Sequence, residues 1–536
     1  MRVVTATQMR EADRLTIDER GVPSLELMER AGREVVAAID DRLSERLDGG
    51  PVTVLCGRGN NGGDGWVVAR LLRERGLQDI AGVLLGRIED IAGDAREMLE
   101  RARSAGVSIA EVEEETAWGG SAARLPSSSL IVDALVGTGL NRPLAGTLAR
   151  AVSDVNASGR PVVSIDVPSG LLEQAPRVEA RKDGDGPVDV DARALSVRAA
   201  LTVTLAAPKL ALLLHPDEIG ALKVADIGIP PDVVNALDGP RIDLMTGSEL
   251  RLWMPRRRVD AHKGMFGRVA IVAGSRGKTG AARLAGLGAL RAGAGLVTVA
   301  TPASCQALVA SIPEYMTHAL PERDGTIGRK GLAELLAGKW DVIAAGPGLG
   351  TGKGTTKLVQ ALIDRESSVP LVLDADALNV CAETPRRLRG RRGSPLVITP
   401  HAGEMARLAG TSSGAVERNR LGIASAFAQE HEVTVVLKGA RTVIASPDGT
   451  VRINATGNPG MATGGSGDVL TGAIAGWIGQ MNDLAEAVAL AVYLHGLAGD
   501  LAARDMGQTG LIAGDIAVRL GLATAMLERG EAVDAW

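Results

Sequence analysis

Short runs of β-branched and aliphatic residues alternate along this chain with longer stretches whose apolar positions recur every three or four residues. In the first half the runs fall at Val52–Cys56, Ile80–Leu85, Leu130–Ala134, Val162–Asp166 and Ala199–Ala206, with helical patterns at Gly65–Arg75, Ala92–Ala105 and Ala145–Asn156. Continuous apolar runs suit strands covered on both faces, and their alternation with helices predicts a mostly parallel sheet sandwiched between helical layers. A second series follows at Val269–Ala273, Leu296–Ala300, Val342–Ala345, Leu371–Asp374, Leu396–Thr399 and Val433–Leu437. After it, Arg441–Ala445 and Thr450–Asn454 flank Ser446-Pro-Asp-Gly449, a hairpin with turn chemistry between its arms. Helices are expected from Ser466 onward, the first carrying the apolar run Val469–Trp477. The Pro- and Gly-rich stretch from Asp226 to Pro240 reads as a boundary, and Glu173–Asp191, rich in Asp and Gly, as a loop insertion. The expected fold class is therefore α/β throughout, with a Rossmann-like three-layer domain over residues 1–235 and a second α/β domain over 246–536.

Composition narrows the choice. A chain of 536 residues is too long for one core. Aromatics make up only 2%, so the cores must be built from Ala, Val, Leu and Ile. A net charge of −5 without a basic block argues against a nucleic-acid partner. Three distant cysteines, Cys56, Cys305 and Cys381, form neither a metal motif nor a disulfide framework, which fits a reducing compartment. The N-terminus lacks an apolar signal core, and the apolar stretch Leu201–Leu214 is interrupted by Pro208 and Lys209, so a cytoplasmic protein without a membrane anchor is expected.

Three strand ends in the first domain carry polar chemistry. Gly57-Arg-Gly-Asn60-Asn61-Gly62-Gly63-Asp64-Gly65 follows a strand and opens a helix, and Gly57, Gly59 and Gly62 satisfy a dinucleotide fingerprint. The next strand, however, ends Leu84-Leu85-Gly86-Arg87 and lacks the acid that would hold a ribose. Asp133 closes another strand ahead of Gly137-Thr138-Gly139-Leu140-Asn141-Arg142-Pro143, and Asp166-Val-Pro-Ser169-Gly170 closes a third. Such ends converge on one crevice in an open parallel sheet. Asn61, Asp133 and Ser169 would offer oxygen ligands with one formal negative charge, which suits a hard monovalent cation better than zinc. These motifs resemble the NAD(P)H-hydrate epimerase family over about residues 1–235. The resemblance implies that Asn60, Asn61, Gly62, Gly63, Asp64, Gly137–Pro143 and Asp166 contact a hydrated nicotinamide nucleotide. It further implies potassium on Asn61, Asp133 and Ser169, and a proton-transfer role for Asp166. Val136 stands where that family usually has an aromatic.

The second domain carries a more specific signature. Asn458-Pro-Gly-Met-Ala-Thr-Gly464-Gly-Ser-Gly467-Asp468 is a glycine-rich turn running into an apolar helix, so backbone N–H groups and the positive end of the helix can face an anion. Asp468 is a poor choice for holding phosphate but a good one for taking a proton from an attacking hydroxyl. The loop resembles the anion hole and base of ribokinase-like kinases. Together with His262-Lys263-Gly264, Gly280-Ala-Ala282, Gly346-Pro-Gly348, Asp374-Ala-Asp376, Thr399-Pro-His401-Ala-Gly-Glu404 and Lys438-Gly439-Ala440-Arg441-Thr442 it resembles the ADP- or ATP-dependent NAD(P)H-hydrate dehydratases, over about residues 246–530. That resemblance implies a ribokinase-like domain in which Ala282, Gly348, His401 and Asp468 face the hydrated nicotinamide. It places the nucleotide on Lys438–Thr442 and Gly467, with Mg²⁺ on its phosphates. Two near-matches to a Walker loop fail: Val272 stands at the first glycine of one, and Pro347 and Gly354 break the other.

The two resemblances together imply a bifunctional repair enzyme for hydrated NADH and NADPH, with ADP as donor because the fused arrangement resembles bacterial enzymes. A small-molecule kinase and a non-catalytic nucleotide-binding regulator remain as alternatives. The small-residue run Gly280–Gly293 would suit close packing of identical subunits, so a homo-oligomer is expected.

Overall fold

The five apolar runs of the first half pair, together with two further strands, into one parallel sheet. In chain order its strands are β1 (Val52–Cys56), β2 (Ile80–Leu85), β3 (Ser108–Val112), β4 (Leu130–Ala134), β5 (Val162–Ile165), β6 (Leu201–Leu205) and β7 (Ala221–Ala225). They lie side by side as β3-β2-β1-β4-β5-β6-β7, every pair parallel. The order reverses between β1 and β4, so the loops leaving those two strands part and open a crevice at their carboxyl ends. The structure is a computed structural model that describes residues 1–46, 50–173, 195–323, 325–365, 367–385, 388–390 and 395–531. These form two compact units dividing at Gly239 and Pro240. Most of the expected Glu173–Asp191 insertion, residues 174–191, lies outside the described residues.

Two strands escaped the pattern. β3 and β7 are the sheet edges, and their residues alternate between exposed and covered, so neither presents a continuous apolar run. The helix expected from Gly65 begins earlier, at Asn60, and is called α1 (Asn60–Glu74). The stretch expected as a boundary is mostly packed: Ile227, Ile229, Val233 and Val234 join the core of the first unit, and Pro231–Asn235 is a short helix. Apolar burial outweighs the local Pro and Gly signals up to Leu237, which is also buried.

The second unit repeats the design. Its strands are β8 (Ile242–Leu244), β9 (Arg268–Val272), β10 (Leu296–Pro302), β11 (Met316–Leu320), β12 (Val342–Ala345), β13 (Leu371–Leu373), β14 (Leu396–Ile398), β15 (Thr434–Leu437), β16 (Val443–Ala445) and β17 (Val451–Ile453). Their spatial order is β8-β17-β16-β15-β14-β13-β12-β9-β10-β11. The pairs from β15 through β11 are parallel, and β15-β16-β17 form the expected antiparallel hairpin edge. Here the reversal falls between β9 and β12, again separating two carboxyl-end loops.

Helices α2 (Thr279–Arg291) and α3 (Ala402–Leu408) flank this sheet, and α4 (Ser466–Ile478), α5 (Leu484–Met506) and α6 (Ala513–Arg529) close the unit. α4 is buried from Val469 to Ile478. Its contact with α2 is made backbone to backbone. A Cβ at Gly472 would fall on the Ala285 carbonyl oxygen, one at Gly288 on the Val469 carbonyl, and one at Gly476 would lie 2.8 Å from the Ala289 carbonyl. The small residues of α2, expected to face another subunit, are therefore used within the chain. α5 is long and apolar enough to cross a membrane, yet Ala487–Gly499 is buried inside this unit, so it is the core helix. The core is aliphatic, as the composition requires: Ala, Val, Leu and Ile dominate it, with Tyr493, Tyr315 and Trp477 as exceptions.

Candidate active sites

In the first unit, β1 delivers Gly57 and β4 delivers Leu135 to opposite lips of the crevice. A Cβ at Gly57 would fall on the Leu135 carbonyl, and one at Gly62 on the Gly57 carbonyl. Two of the three fingerprint glycines are thus demanded by close backbone approach, whereas Gly59 has open space around it. Gly59 caps α1 without a side-chain hydrogen bond, so the first N–H groups of α1 remain available to an anion. Asn60, Asn61, Gly62, Gly63 and Asp64 all belong to the first turns of that helix. Residues 137–143 form the opposite rim, with Asn141, Arg142 and Pro143 exposed.

Asp133 is fully buried at the end of β4, in register with Ser164 on β5. Its Oδ2 accepts from Ser164 Oγ at 2.8 Å and Ser169 N at 2.9 Å, and its Oδ1 from Ser169 Oγ at 2.6 Å and Leu135 N at 3.3 Å. Burial nonetheless pushes its pKa up, against those hydrogen bonds. Ser169 Oγ also accepts from Val136 N at 2.9 Å. Asn61 Nδ2 is buried without a partner, and Asn61 Oδ1 would lie 3.2 Å from a Cβ at position 137, so Gly137 keeps that oxygen open. The three expected potassium ligands thus gather around one loop and offer only oxygens, a donor set that fits a hard monovalent cation. Among the described residues no cluster of three His, Cys, Asp or Glu could hold a metal.

Asp166 leaves the end of β5 with φ +66°, a left-handed conformation that a non-glycine residue adopts at a cost. Its carboxylate pairs with the Lys209 ammonium. Sequence reasoning missed Lys209, seen only as a break in an apolar stretch, and missed Asp13. Burial pushes the Asp13 pKa up to about 6, with Lys209 opposing and Asp166 reinforcing the shift. Asp64 is raised well above its ordinary value by burial, then by Asp166 and Asp13.

In the second unit the parallel strands bring five loops together. Gly274 follows β9, and its N–H donates to the Pro347 carbonyl at 2.8 Å. Gly346 follows β12 with φ +134°, and a Cβ there would fall on the Asp374 carbonyl, so only glycine lets these loops touch. Gly348, at φ +64°, receives the Ser275 hydroxyl on its carbonyl at 2.7 Å. β13 ends in Asp374, which is 1% exposed. Asp374 Oδ1 accepts from Lys438 Nζ at 2.6 Å, and Oδ2 from Thr471 Oγ1 on α4 at 2.7 Å. Asp376 takes Lys278 Nζ at 3.0 Å and Gly350 N at 2.8 Å.

Asp468 sits in the first turn of α4, beyond Gly465 at φ +94°. It is half-buried, and no hydrogen bond within the described residues reaches its carboxylate. Burial raises its pKa to about 6, Asp374 and Asp376 adding to the rise and Lys438 opposing it. For Lys438, burial works to lower the pKa, but Asp374 and Glu404 outweigh it and the net shift is upward, so the ammonium stays charged. A Cβ at Gly467 would lie 3.3 Å from Lys438 Nζ, so the glycine turn and the lysine adjoin. Behind the turn, His495 Nε2–H donates to the Ser466 carbonyl at 3.0 Å, and burial lowers its pKa to about 4, keeping it neutral.

Other expected contacts take unforeseen positions. His401 caps α3: its Nδ1 accepts from Gly403 N at 3.0 Å and Glu404 N at 3.4 Å, while the Glu404 carboxylate accepts from the His401 N–H at 2.9 Å. The ring is nevertheless 56% exposed, and its Nε2 lies 3.4 Å from Glu404 Oε1. Ala282 is fully buried beneath Gly274 and presents no side chain to the cleft. In the Lys438–Thr442 loop, Arg441 turns its guanidinium to the Ala455 carbonyl at 2.9 Å, Thr442 Oγ1 donates to the Gly439 carbonyl, and Ala440 is exposed. Arg420, which sequence reasoning passed over, pins the loop through the Leu437 and Lys438 carbonyls.

The molecule is thus an α/β protein with two candidate sites, one at the strand carboxyl ends of each sheet. A family model described as NAD(P)H-hydrate dehydratase matches residues 269–519, and one described as YjeF-related protein N-terminus matches residues 24–211. The chain is 45% identical over 522 residues to the bifunctional NAD(P)H-hydrate repair enzyme Nnr of Moorella thermoacetica, covering 96% of this chain and 95% of that one. Its counterpart from Escherichia coli is 36% identical, covering 95% and 92%. Among solved structures, the ADP/ATP-dependent NAD(P)H-hydrate dehydratase of Bacillus subtilis, co-crystallised with ATP and Mg²⁺, is 32% identical over 53% of this chain and 99% of its own, with a TM-score of 0.48. The chain belongs to the family of bifunctional NAD(P)H-hydrate repair enzymes.

Proposed function

We propose that this chain restores hydrated NADH and NADPH, its first unit interconverting the R and S forms at C6 and its second dehydrating the S form at the expense of ADP. The observation that carries the dehydratase reading is the Asp468 carboxylate, half-buried, reached by no hydrogen bond within the described residues and adjoining the glycine turn at the start of α4. Hydroxide is a poor leaving group, and phosphate a good one. Asp468 accepts the proton of the C6 hydroxyl as its oxygen attacks the terminal phosphoryl of ADP, and AMP departs. The C6–O bond then breaks with help from the ring nitrogen, a proton leaves C5, and the nicotinamide double bond is restored. The N–H groups of Gly465 and Gly467 and the start of α4 stabilise charge on the transferred phosphoryl. Lys438 adds a fixed positive charge beside the turn.

Mg²⁺ would be carried on the phosphates of the nucleotide, whose charge it would compensate. In the first unit, Asn61, Asp133 and Ser169 would hold potassium, which would fix the crevice rim electrostatically. Asp166 is the proposed proton acceptor of the epimerase, and Asn60–Asp64 with Gly137–Pro143 the walls that orient the nucleotide. Hydrated nucleotides and ADP are the small-molecule partners, and a cytoplasmic homo-oligomer remains the proposed state.

The test is one assay of the purified chain on each C6 epimer, with ADP and ATP supplied separately. Recovery of NADH absorbance from both epimers with ADP is expected. Accumulation of a stable phosphorylated product would instead identify a small-molecule kinase.

A further inference from the structure

Four ionisable side chains from four separate elements lie at the carboxyl ends of the first sheet, next to the oxygen ligands around Asp133. Lys209, just after β6, is 2% exposed, pairs with Asp166 Oδ1 and donates to the Leu205 carbonyl. The same Asp166 oxygen accepts from Thr204 Oγ1 at 3.3 Å and Leu205 N at 3.2 Å. Val4 is bridged to Lys209, which brings the helix Ala6–Arg14 and its Asp13 beside the pair, and the charges of Lys209 and Asp166 act on both Asp13 and Asp64 of α1. Asp64 is 7% exposed, and no hydrogen bond within the described residues reaches its carboxylate. Behind it lie Asp133 and the Cys56 thiol, whose pKa burial pushes up.

One ammonium therefore faces three carboxylates in a poorly solvated place. They cannot all stay ionised at little cost, so they must share protons. Epimerisation consumes no proton overall, and a group that accepts one must return it. A carboxylate locked to its own lysine is a weak base. A second carboxylate competing for the same lysine loosens that lock.

We propose that Lys209 and Asp13 are positioning residues of the epimerase site, Lys209 fixing the Asp166 carboxylate at the crevice, and Asp13 competing for the same ammonium so that Asp166 can exchange a proton. The inference rests on the epimerase reading of the first unit.

The test uses the full chain and its variants K209M, K209R and D13N, with the epimerisation rate followed against pH. K209M should lower kcat about 10²-fold through misplacement of Asp166. It should also move the acidic limb of the profile up by about one pH unit, because the carboxylates lose their cation. D13N should move that limb down by a similar amount, because a competing negative charge is gone. K209R, which keeps the charge, should leave the limb in place and covers the case in which K209M does not fold. Displacements of opposite sign are not a consequence of damaged packing. Limbs that stay put, or move the same way in K209M and D13N, overturn the proposal. Thermal melting of the first unit in the same preparations reports folding. A wild-type chain without epimerase activity would sink the underlying reading, whereas an active wild type with unmoved limbs sinks this inference alone.

Discussion

The Lys438 ammonium lies 2.6 Å from the Asp374 carboxylate, and both are largely buried at carboxyl-end loops of the second unit that stand on either side of β14. The pair joins the loop after β15 to the end of β13, while Thr471 ties the same carboxylate to α4. Asp374→Ala leaves a buried ammonium without its main partner. The expected cost is about 3–5 kcal/mol to the second unit, read as a lower unfolding midpoint, with dehydration lost and epimerisation retained. Unchanged melting of the second unit would show the pair to be energetically idle.

Asp468→Asn keeps the size of the side chain but removes the base. Dehydration should fall by roughly 10² to 10⁴ while epimerisation is untouched. Equal loss of both activities would contradict separate sites.

The environment of Asp468 also fixes a pH dependence. Its carboxyl titrates at about 6, raised by burial and by Asp374. The base works only when ionised, so the dehydration rate should be level above that pH and fall about tenfold per pH unit below it. Asp468→Asn should abolish this limb in the residual activity. A profile flat down to pH 5 would remove Asp468 from the role.

Asp133 anchors four donors. Asp133→Ala should impair epimerisation and its response to potassium, while the second unit continues to dehydrate the S form. Because orphaned donors cost about 1–3 kcal/mol each, the milder Asp133→Asn should be compared. A potassium titration that superimposes on the wild type would refute the ligand assignment.

Gly472→Ala tests the helix contact. The added methyl would fall on the Ala285 carbonyl oxygen, and neither backbone can yield cheaply. A loss of about 1–3 kcal/mol is expected from overpacking, together with slower dehydration, because α4 carries Asp468. Thermal melting and the S-form assay read the two effects.

Much of this was legible in the sequence where strands are buried on both faces. The runs at Val52–Cys56, Ile80–Leu85, Leu130–Ala134 and Val342–Ala345 match the observed strands end for end. Edge strands were not legible: Ser108–Val112 and Met316–Leu320 carry too many exposed positions to form an apolar run. The glycine turn and Asp468 stood out because glycine density and a lone acid are local signals. Lys209 and Asp13 did not, because 196 residues separate them and only the folded sheet joins them. His401 shows the reverse limit, since a motif residue turned out to satisfy α3 through its ring nitrogen.

The glycine-lined seam between α2 and α4 has a consequence for motion. Two helices seated carbonyl against Cα leave no slack for rotation or sliding, so the carboxylate at the head of α4 behaves as a fixed anvil. Whatever tightening a bound nucleotide induces must be delivered by the facing loops, and variants that stiffen those loops should slow turnover without touching the base.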